Sequence, residues 1–192
     1  MKQLPENYSM YRAVLENISE SRVRTAISYY GKKYSFEKVL FWIDRLADNL
    51  AAEFSLGKGK CVTLCLPNSP AALLLFYAAN KLGAAVNLVH PFLPPEKLKE
   101  SVRRTDSCLL LVYDLYKCGR FDFGVPTLVS DSSYFMSAAA RAYYKCTNKR
   151  TAFGYIPFEK YLKNRRHPHV GAADWGIGEA AVYLASGGTT GE

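Results

Sequence analysis

The stretch from residue 61 to residue 113 alternates between short apolar runs and longer helical segments, and this order constrains the fold more than any other feature. The apolar runs are CVTLCL (61–66), AAVNLV (84–89) and CLLLVY (108–113), each typical of a strand covered on both faces. A helical segment lies between each pair of runs, the first of them (70–82) apolar almost all round. The sequence therefore predicts two βαβ units and a parallel sheet with helices on both faces.

The segments before this core predict a short surface helix and a small hairpin. Residues 8–19 have apolar positions at helical spacing, and TAISYYGKKY (25–34) predicts a β-hairpin that turns at Gly31-Lys32. Ser35 is placed to cap the next helix, and Gly57 is expected to close it. The predicted fold class is thus α/β, with a small N-terminal hairpin.

At 192 residues the chain fits one domain or slightly more, and we expect one unit. It divides into a helix–hairpin–helix lead-in (1–60), a βαβ core (61–130), a basic irregular linker (131–179), and a last strand with its loop (180–192). PTLV at 126–129 predicts a fourth strand of the core, and AAVYLA at 180–185 predicts the last strand.

The last strand runs directly into a loop rich in glycine and hydroxyl side chains. Glycines allow the backbone to approach phosphate oxygens closely, and hydroxyls add donors without bulk. Successive backbone N–H groups after a parallel strand can form an anion-binding nest. The lysine-containing Walker A pattern is absent, so composition alone leaves a flexible turn and a phosphate site equally open. The predicted phosphate-binding residues are Ser186, Gly187, Gly188, Thr189, Thr190 and Gly191.

The order of residues 183–192 closely resembles the phosphate-loop signature of the AMP-forming adenylate synthetases. This superfamily includes acyl-CoA synthetases, luciferases and the adenylation domains of peptide synthetases. Its signature has two small residues, Gly, two hydroxyl residues and Gly, then one free position and usually Pro-Lys; the given sequence ends at the free position, Glu192. The stretch 25–107 is similar to the opening of the same family, through its hairpin, its "PNS" (67–69) and its "PFLPPEKL" (91–98).

The resemblance implies that the chain is an N-terminal fragment of an AMP-forming acyl-CoA synthetase. Such an enzyme joins a carboxylic acid to ATP with Mg²⁺, releases pyrophosphate, and passes the acyl group to coenzyme A. The family's catalytic residues and its coenzyme A site lie downstream of this loop. We therefore expect no catalytic residue and no metal ligand in this fragment, and an inactive chain.

Two alternatives stay open for the complete protein. It could be an amino-acid adenylation domain, although the doubled glycine of SGGTTG is more typical of acyl-CoA synthetases. It could also be a non-catalytic paralogue of the family. Because a divided sheet leaves apolar surface bare, we expect the fragment to self-associate.

Residues 143–166 carry seven Lys/Arg against one acid, a net charge of +6, together with six aromatic residues. This composition suits a nucleic acid, a phosphate-bearing cofactor, an anionic membrane, or a solvated linker. No nucleic-acid-binding module accompanies it, so we expect no nucleic-acid partner. The five cysteines, the absence of a secretory signal and the absence of a long apolar run predict a cytoplasmic protein without a transmembrane segment.

Overall fold

The computed structural model describes residues 9–18, 22–163, 167–176 and 178–184. Its centre is a six-stranded, fully parallel sheet, and a two-stranded antiparallel hairpin lies apart from it. The hairpin strands are β1 (Thr25–Tyr29) and β2 (Lys32–Ser35). The sheet strands are β3 (Cys61–Cys65), β4 (Ala85–Leu88), β5 (Ser107–Tyr113), β6 (Thr127–Ser130), β7 (Ile156–Pro157) and β8 (Val182–Leu184). The predicted α/β class with a parallel sheet is confirmed.

The described helices include the two whose ranges were predicted, 8–19 and 70–82. The helices are α1 (Met10–Asn17), α2 (Phe36–Phe54), α3 (Pro70–Lys81), α4 (Pro95–Arg104), α5 (Ala138–Thr147) and α6 (Lys160–Lys163). Ser35 caps α2 as expected, since its hydroxyl accepts a hydrogen bond from the Lys38 amide at 3.3 Å. The expected stop at Gly57 is wrong: α2 ends at Phe54, and Ser55 adopts the left-handed conformation with φ 52°.

The strand order is β7-β6-β5-β3-β4-β8, so β3 lies in the interior between β4 and β5. All five residues of β3 are buried, as its continuous apolar run predicts. Helix α3 packs beside α2 and buries Leu74 and Leu75 completely. Burying each leucine stabilises the fold by roughly 1.5–3 kcal/mol, so this layer is a main source of stability.

A buried polar network joins the middle of the sheet to α4. The Asn87 amide group of β4 donates to the hydroxyls of Thr63 and Ser101, each at 3.0 Å. The Thr63 hydroxyl also lies 2.7 Å from that of Ser107, which in turn lies 2.8 Å from that of Thr105. These polar side chains are tolerated in the interior because each finds a hydrogen-bond partner.

In the segment from 131 to 179, the residues that the structure describes form two helices and one short strand. Helix α5 follows β6, and β7 then pairs with β6 through Ile156 and Pro157. Two residues of β7 suffice for pairing because Phe158 continues the contact, its amide donating to the Val129 carbonyl at 2.9 Å. Within the described part of the chain, no helix combines the length and apolar character needed to cross a bilayer.

Candidate functional site

Strand β8 runs parallel to its neighbours, so it ends on the same side of the sheet as they do, which we call the carboxyl edge. It pairs in parallel with β4, with Val86 opposite Val182 and Leu88 opposite Leu184. In open parallel sheets, ligands bind outside the carboxyl ends of the strands. The predicted phosphate-binding residues, Ser186 to Gly191, lie outside the described residues, which end at Leu184. In the sequence, these residues follow β8 after Ala185.

An extended segment holds β8 in place, and we call residues 169–175 the strap. Its Val170 amide donates to the Asp48 carboxylate of α2 at 2.8 Å. Its Ala173 amide donates to the Lys81 carbonyl of α3, also at 2.8 Å. The Trp175 indole N–H donates to the Asn80 carbonyl at 2.9 Å. The strap is therefore fastened to two helices of the core layer.

Two ion pairs add to this attachment. The Arg12 guanidinium of α1 lies 2.6 Å from the Asp174 carboxylate, and Lys58 lies 2.8 Å from Glu179. The Asp174 side chain thereby joins the strap to a helix that lies 162 residues earlier in the chain. Lys58 holds the pKa of Glu179 below its usual range through a hydrogen bond.

A second polar cluster lies where β5 and β6 end. The Asp114 carboxylate is 5% exposed and accepts hydrogen bonds from the Ser132 hydroxyl at 2.6 Å and the Tyr144 hydroxyl at 3.1 Å. The contact attaches α5 to the sheet. Burial raises the pKa of Tyr144, so the phenol stays protonated and donates. All these groups are engaged with one another, which indicates a structural role for the cluster.

Glu159 is a buried carboxyl group at the same edge. Its Oε1 accepts hydrogen bonds from the Ser130 hydroxyl at 3.0 Å and from the Asp131 amide at 2.8 Å. Burial raises its pKa to about 7, although the hydrogen bonds oppose the shift. Sequence reasoning counted Glu159 only as the single acid of a basic segment. Nothing in the spacing of the sequence marks it as buried.

A cleft of about 550 Å³ opens beside β3, β4 and β5 at their carboxyl ends. Its lining includes Phe92, Tyr113 and Tyr116. The Tyr116 hydroxyl donates to the Leu93 carbonyl at 2.5 Å, which holds the proline-rich turn against β5. Burial raises the pKa of the neighbouring Cys65 thiol to about 12, so this cysteine stays neutral near pH 7.

Candidate metal ligands do not gather in the part of the chain that the structure describes. No three His, Cys, Asp or Glu side chains there lie close enough to hold a metal ion. His169 instead lies 3.4 Å from the Asp48 carboxylate, and the His90 imidazole accepts a hydrogen bond from the Phe92 amide at 3.3 Å. His169 thus belongs to the strap, and His90 lies at the turn that follows β4.

Comparisons with known proteins agree with this architecture. Residues 15–192 match the AMP-binding enzyme family. A long-chain-fatty-acid–CoA ligase of Bacillus subtilis is 32% identical over 92 residues, 48% of this chain and 16% of that protein. Surfactin synthase subunit 2 of the same organism is 26% identical over 138 residues, 72% of this chain and 4% of that protein.

Solved structures show the same fold over nearly the whole chain. An anthranilate CoA ligase in complex with anthranoyl-AMP superposes with a TM-score of 0.72 at 20% identity, covering 98% of this chain and 34% of that one. The o-succinylbenzoate CoA synthetase of Bacillus subtilis, in complex with its acyl-adenylate intermediate, gives a TM-score of 0.66 at 18% identity, covering 96% and 32%. The chain spans about a third of these structures and less of the curated relatives. Since the family match covers most of its residues, the chain belongs to the AMP-binding enzyme family.

Proposed function

We propose that this chain supplies the phosphate-binding loop and part of the nucleotide-binding domain of an AMP-forming acyl-CoA synthetase. The complete enzyme would join a carboxylic acid to ATP, release pyrophosphate, and transfer the acyl group from the adenylate to the thiol of coenzyme A. The observation that carries the proposal is the parallel pairing of β8 with β4, because β8 thereby ends at the carboxyl edge of the sheet and the SGGTTG stretch follows it in the sequence.

The loop residues suit the needs of a triphosphate. Gly188 and Gly191 carry no side chain that would block close approach of backbone amides to phosphate oxygens. Thr189 and Thr190 offer hydroxyl donors. Fixed donors aimed at the β- and γ-phosphates would stabilise the charge that develops on the leaving pyrophosphate, and Mg²⁺ bound to the same phosphates would neutralise part of it.

The choice of coenzyme A as acceptor rests on the doubled glycine of the loop, Gly187-Gly188. Relatives of both kinds match this chain: a CoA ligase and a peptide synthetase subunit. An amino-acid adenylation domain is therefore the second candidate, and a non-catalytic paralogue the third. The acid substrate would be a small-molecule carboxylic acid, and the site of action would be the cytoplasm.

We expect the 192-residue chain alone to be inactive, because none of its residues is assigned a catalytic role. The test is exchange of labelled pyrophosphate into ATP with a panel of carboxylic acids. The chain alone should give no exchange, and the complete protein should exchange with its own acid and then release AMP with coenzyme A. Exchange by the isolated chain would contradict the assignment of an inactive fragment.

The phosphate-loop assignment is tested by removing its hydroxyls in the complete protein. Thr189→Val with Thr190→Val should lower the rate of adenylate formation about 100-fold, comparable to the loss of an oxyanion-hole donor. The matched control is Thr147→Val, which removes an exposed hydroxyl at the end of α5. Equal rates for the loop variant and the control would refute the role of the loop.

An apolar groove of about 440 Å³ supports the expectation that more protein packs on this chain. The hairpin, α3 and β4 line it with side chains that include Ile27, Leu73, Phe76 and Leu88. In the isolated chain this groove would meet water, so self-association would cover it. Sedimentation velocity should show dimers or larger species as the concentration rises, and Leu73→Lys should shift the population toward monomer.

A further inference from the structure

The surface formed by α5 and the two segments beside it is basic and has exposed aromatic side chains. We call it the α5 surface, and its residues are all solvent-exposed: Lys117, Arg120, Tyr143, Lys145, Lys149, Arg150 and Phe153. The proposed function gives no role to these residues. They include part of the basic segment that the sequence marks at 143–166.

Backbone contacts join the two segments beside α5, residues 117–120 and residues 149–153. The Gly119 amide donates to the Thr151 carbonyl at 3.1 Å, and the Phe153 amide donates back to the Gly119 carbonyl at 3.2 Å. The Arg120 side chain lies against Gly154, where an added Cβ would be 3.3 Å from Cγ of the arginine. The charges of the first segment therefore lie beside those of the second, on one continuous surface.

The acidic side chains near this surface are engaged elsewhere, and Asp122, two residues after Arg120, lies 4.0 Å from Lys99 of α4. The sequence has no acidic residue from 132 to 158. The buried Asp114 carboxylate is turned toward Ser132 and Tyr144. Among the residues that the structure describes, Lys145, Lys149 and Arg150 form no ion pair and no side-chain hydrogen bond. An anionic partner would therefore meet free cations.

Helix α5 contributes no buried residue to the core, so core packing does not explain its composition. It is attached by polar contacts instead: the Tyr144 hydroxyl reaches Asp114, and the Arg141 guanidinium donates to the carbonyls of Ser133 and Tyr134. Its outward residues are Tyr143, which is 73% exposed, and Ala138, Ala139 and Ala142. The outer face of α5 thus mixes apolar surface with one lysine, Lys145, and Lys149 and Arg150 follow the end of the helix.

We propose that the α5 surface binds the headgroup region of an anionic lipid bilayer. A helix that combines basic residues with an interfacial aromatic residue has the character of peripheral membrane-binding helices. Each basic residue near an anionic bilayer strengthens binding about fivefold. The exposed alanines favour a bilayer over a nucleic acid. Burial of their methyl groups at the boundary with the acyl chains is favourable, whereas methyl groups offer no hydrogen bond to phosphates or bases.

The test is sedimentation of the 192-residue chain with vesicles of one part phosphatidylserine to two parts phosphatidylcholine, and with vesicles of phosphatidylcholine alone. Binding to the anionic vesicles only is expected, and it should weaken as salt rises from about 0.1 M to about 0.5 M. The triple variant Lys145→Gln, Lys149→Gln, Arg150→Gln should bind about 100-fold more weakly.

The matched control removes three exposed charges elsewhere: Lys33→Gln, Lys97→Gln and Arg103→Gln. It has the same net charge as the first variant, and its binding should stay within a few-fold of the unmodified chain. Tyr143→Ser should weaken binding several-fold. Equal midpoints of urea unfolding for all variants establish that they are folded. The salt dependence of vesicle binding by the unmodified chain tests the electrostatic contribution without any variant.

Three results would overturn the proposal. The chain could fail to sediment with the anionic vesicles, or the control could lose as much binding as the triple variant. Duplex DNA at the same phosphate concentration could also bind more tightly than the vesicles, with no effect of Tyr143→Ser. That last outcome would identify the surface as a nucleic-acid site.

Discussion

Replacement of Glu159 by glutamine should stabilise the fold above neutral pH and remove a large part of its pH dependence. In the folded chain this carboxyl group is 7% exposed, and Oε1 accepts from Ser130 and Asp131. The amide oxygen of glutamine can accept both hydrogen bonds, so the Glu159→Gln variant keeps the acceptor and removes the charge. Its effect therefore isolates the cost of the buried negative charge.

The magnitude follows from the pKa. Burial raises the pKa of Glu159 from 4.5 to about 7 in the folded chain. The folded state therefore binds this proton more tightly than the unfolded state, and stability falls as pH rises from 4.5 to 7. Each pKa unit corresponds to about 1.4 kcal/mol, so the ionised group costs roughly 3 kcal/mol above pH 7 and nothing below both pKa values.

The assay is urea unfolding of both chains at a series of pH values from about 4.5 to about 8. The difference in unfolding free energy between Glu159→Gln and the unmodified chain should grow with pH and level off at roughly 3 kcal/mol above pH 7. Glu96→Gln, at an exposed position on α4, measures the loss of a surface carboxyl. A pH-independent difference for Glu159→Gln, or one no larger than that of Glu96→Gln, would refute the reasoning.

Three further substitutions test the packing and the strap. Leu74→Ala should cost about 2–5 kcal/mol of unfolding free energy in urea, because it leaves a cavity at a fully buried position of α3. Asn87→Leu should cost about 1–3 kcal/mol in the same assay, because the hydroxyl of Ser101 loses its buried donor, and a cost near zero would mean that the network rearranges freely. Asp48→Ala should speed hydrogen exchange of the Val170 amide about 10-fold or more, as expected for loss of a charge-assisted hydrogen bond. The exchange rate of the Ala173 amide should change less, because this amide donates to a backbone carbonyl.

The core of the fold could be predicted from sequence because its signals are local. The continuous apolar run of β3 and the all-round apolar character of α3 lie within the elements that they specify, and the capping residue Ser35 directly precedes α2. Right-handed crossovers then place β4 and β5 beside β3, as observed. The family resemblance predicted the same α/β fold through separate motifs, PNS at 67–69 and PFLPPEKL at 91–98.

The features that were missed depend on contacts between distant parts of the chain. Strand β7 has only two residues and no period of its own, so only its pairing with β6 defines it. The contacts of the strap with α2 and α3 join residues more than 90 positions apart in the sequence. The buried Glu159 carboxyl group has its hydrogen-bond partners 28 and 29 residues away. Ser55 ends α2 in a conformation usually adopted by glycine, which explains why Gly57 was the expected stop.

The strap explains how β8, the very short strand that precedes the proposed phosphate-binding loop, is held in position. Strands β7 and β8 lie at opposite edges of the sheet, so the chain must cross five strand spacings, about 24 Å, between them. β8 has three residues, so few backbone hydrogen bonds join it to β4, and the Leu184 side chain is 74% exposed. The anchoring bonds to Asp48, Lys81 and Asn80 fix the path of the crossing on α2 and α3. The position of β8 therefore depends on the helical layer. Loss of the hydrogen bond from the Val170 amide to Asp48 should disturb β8 and the proposed loop that follows it before the sheet unfolds.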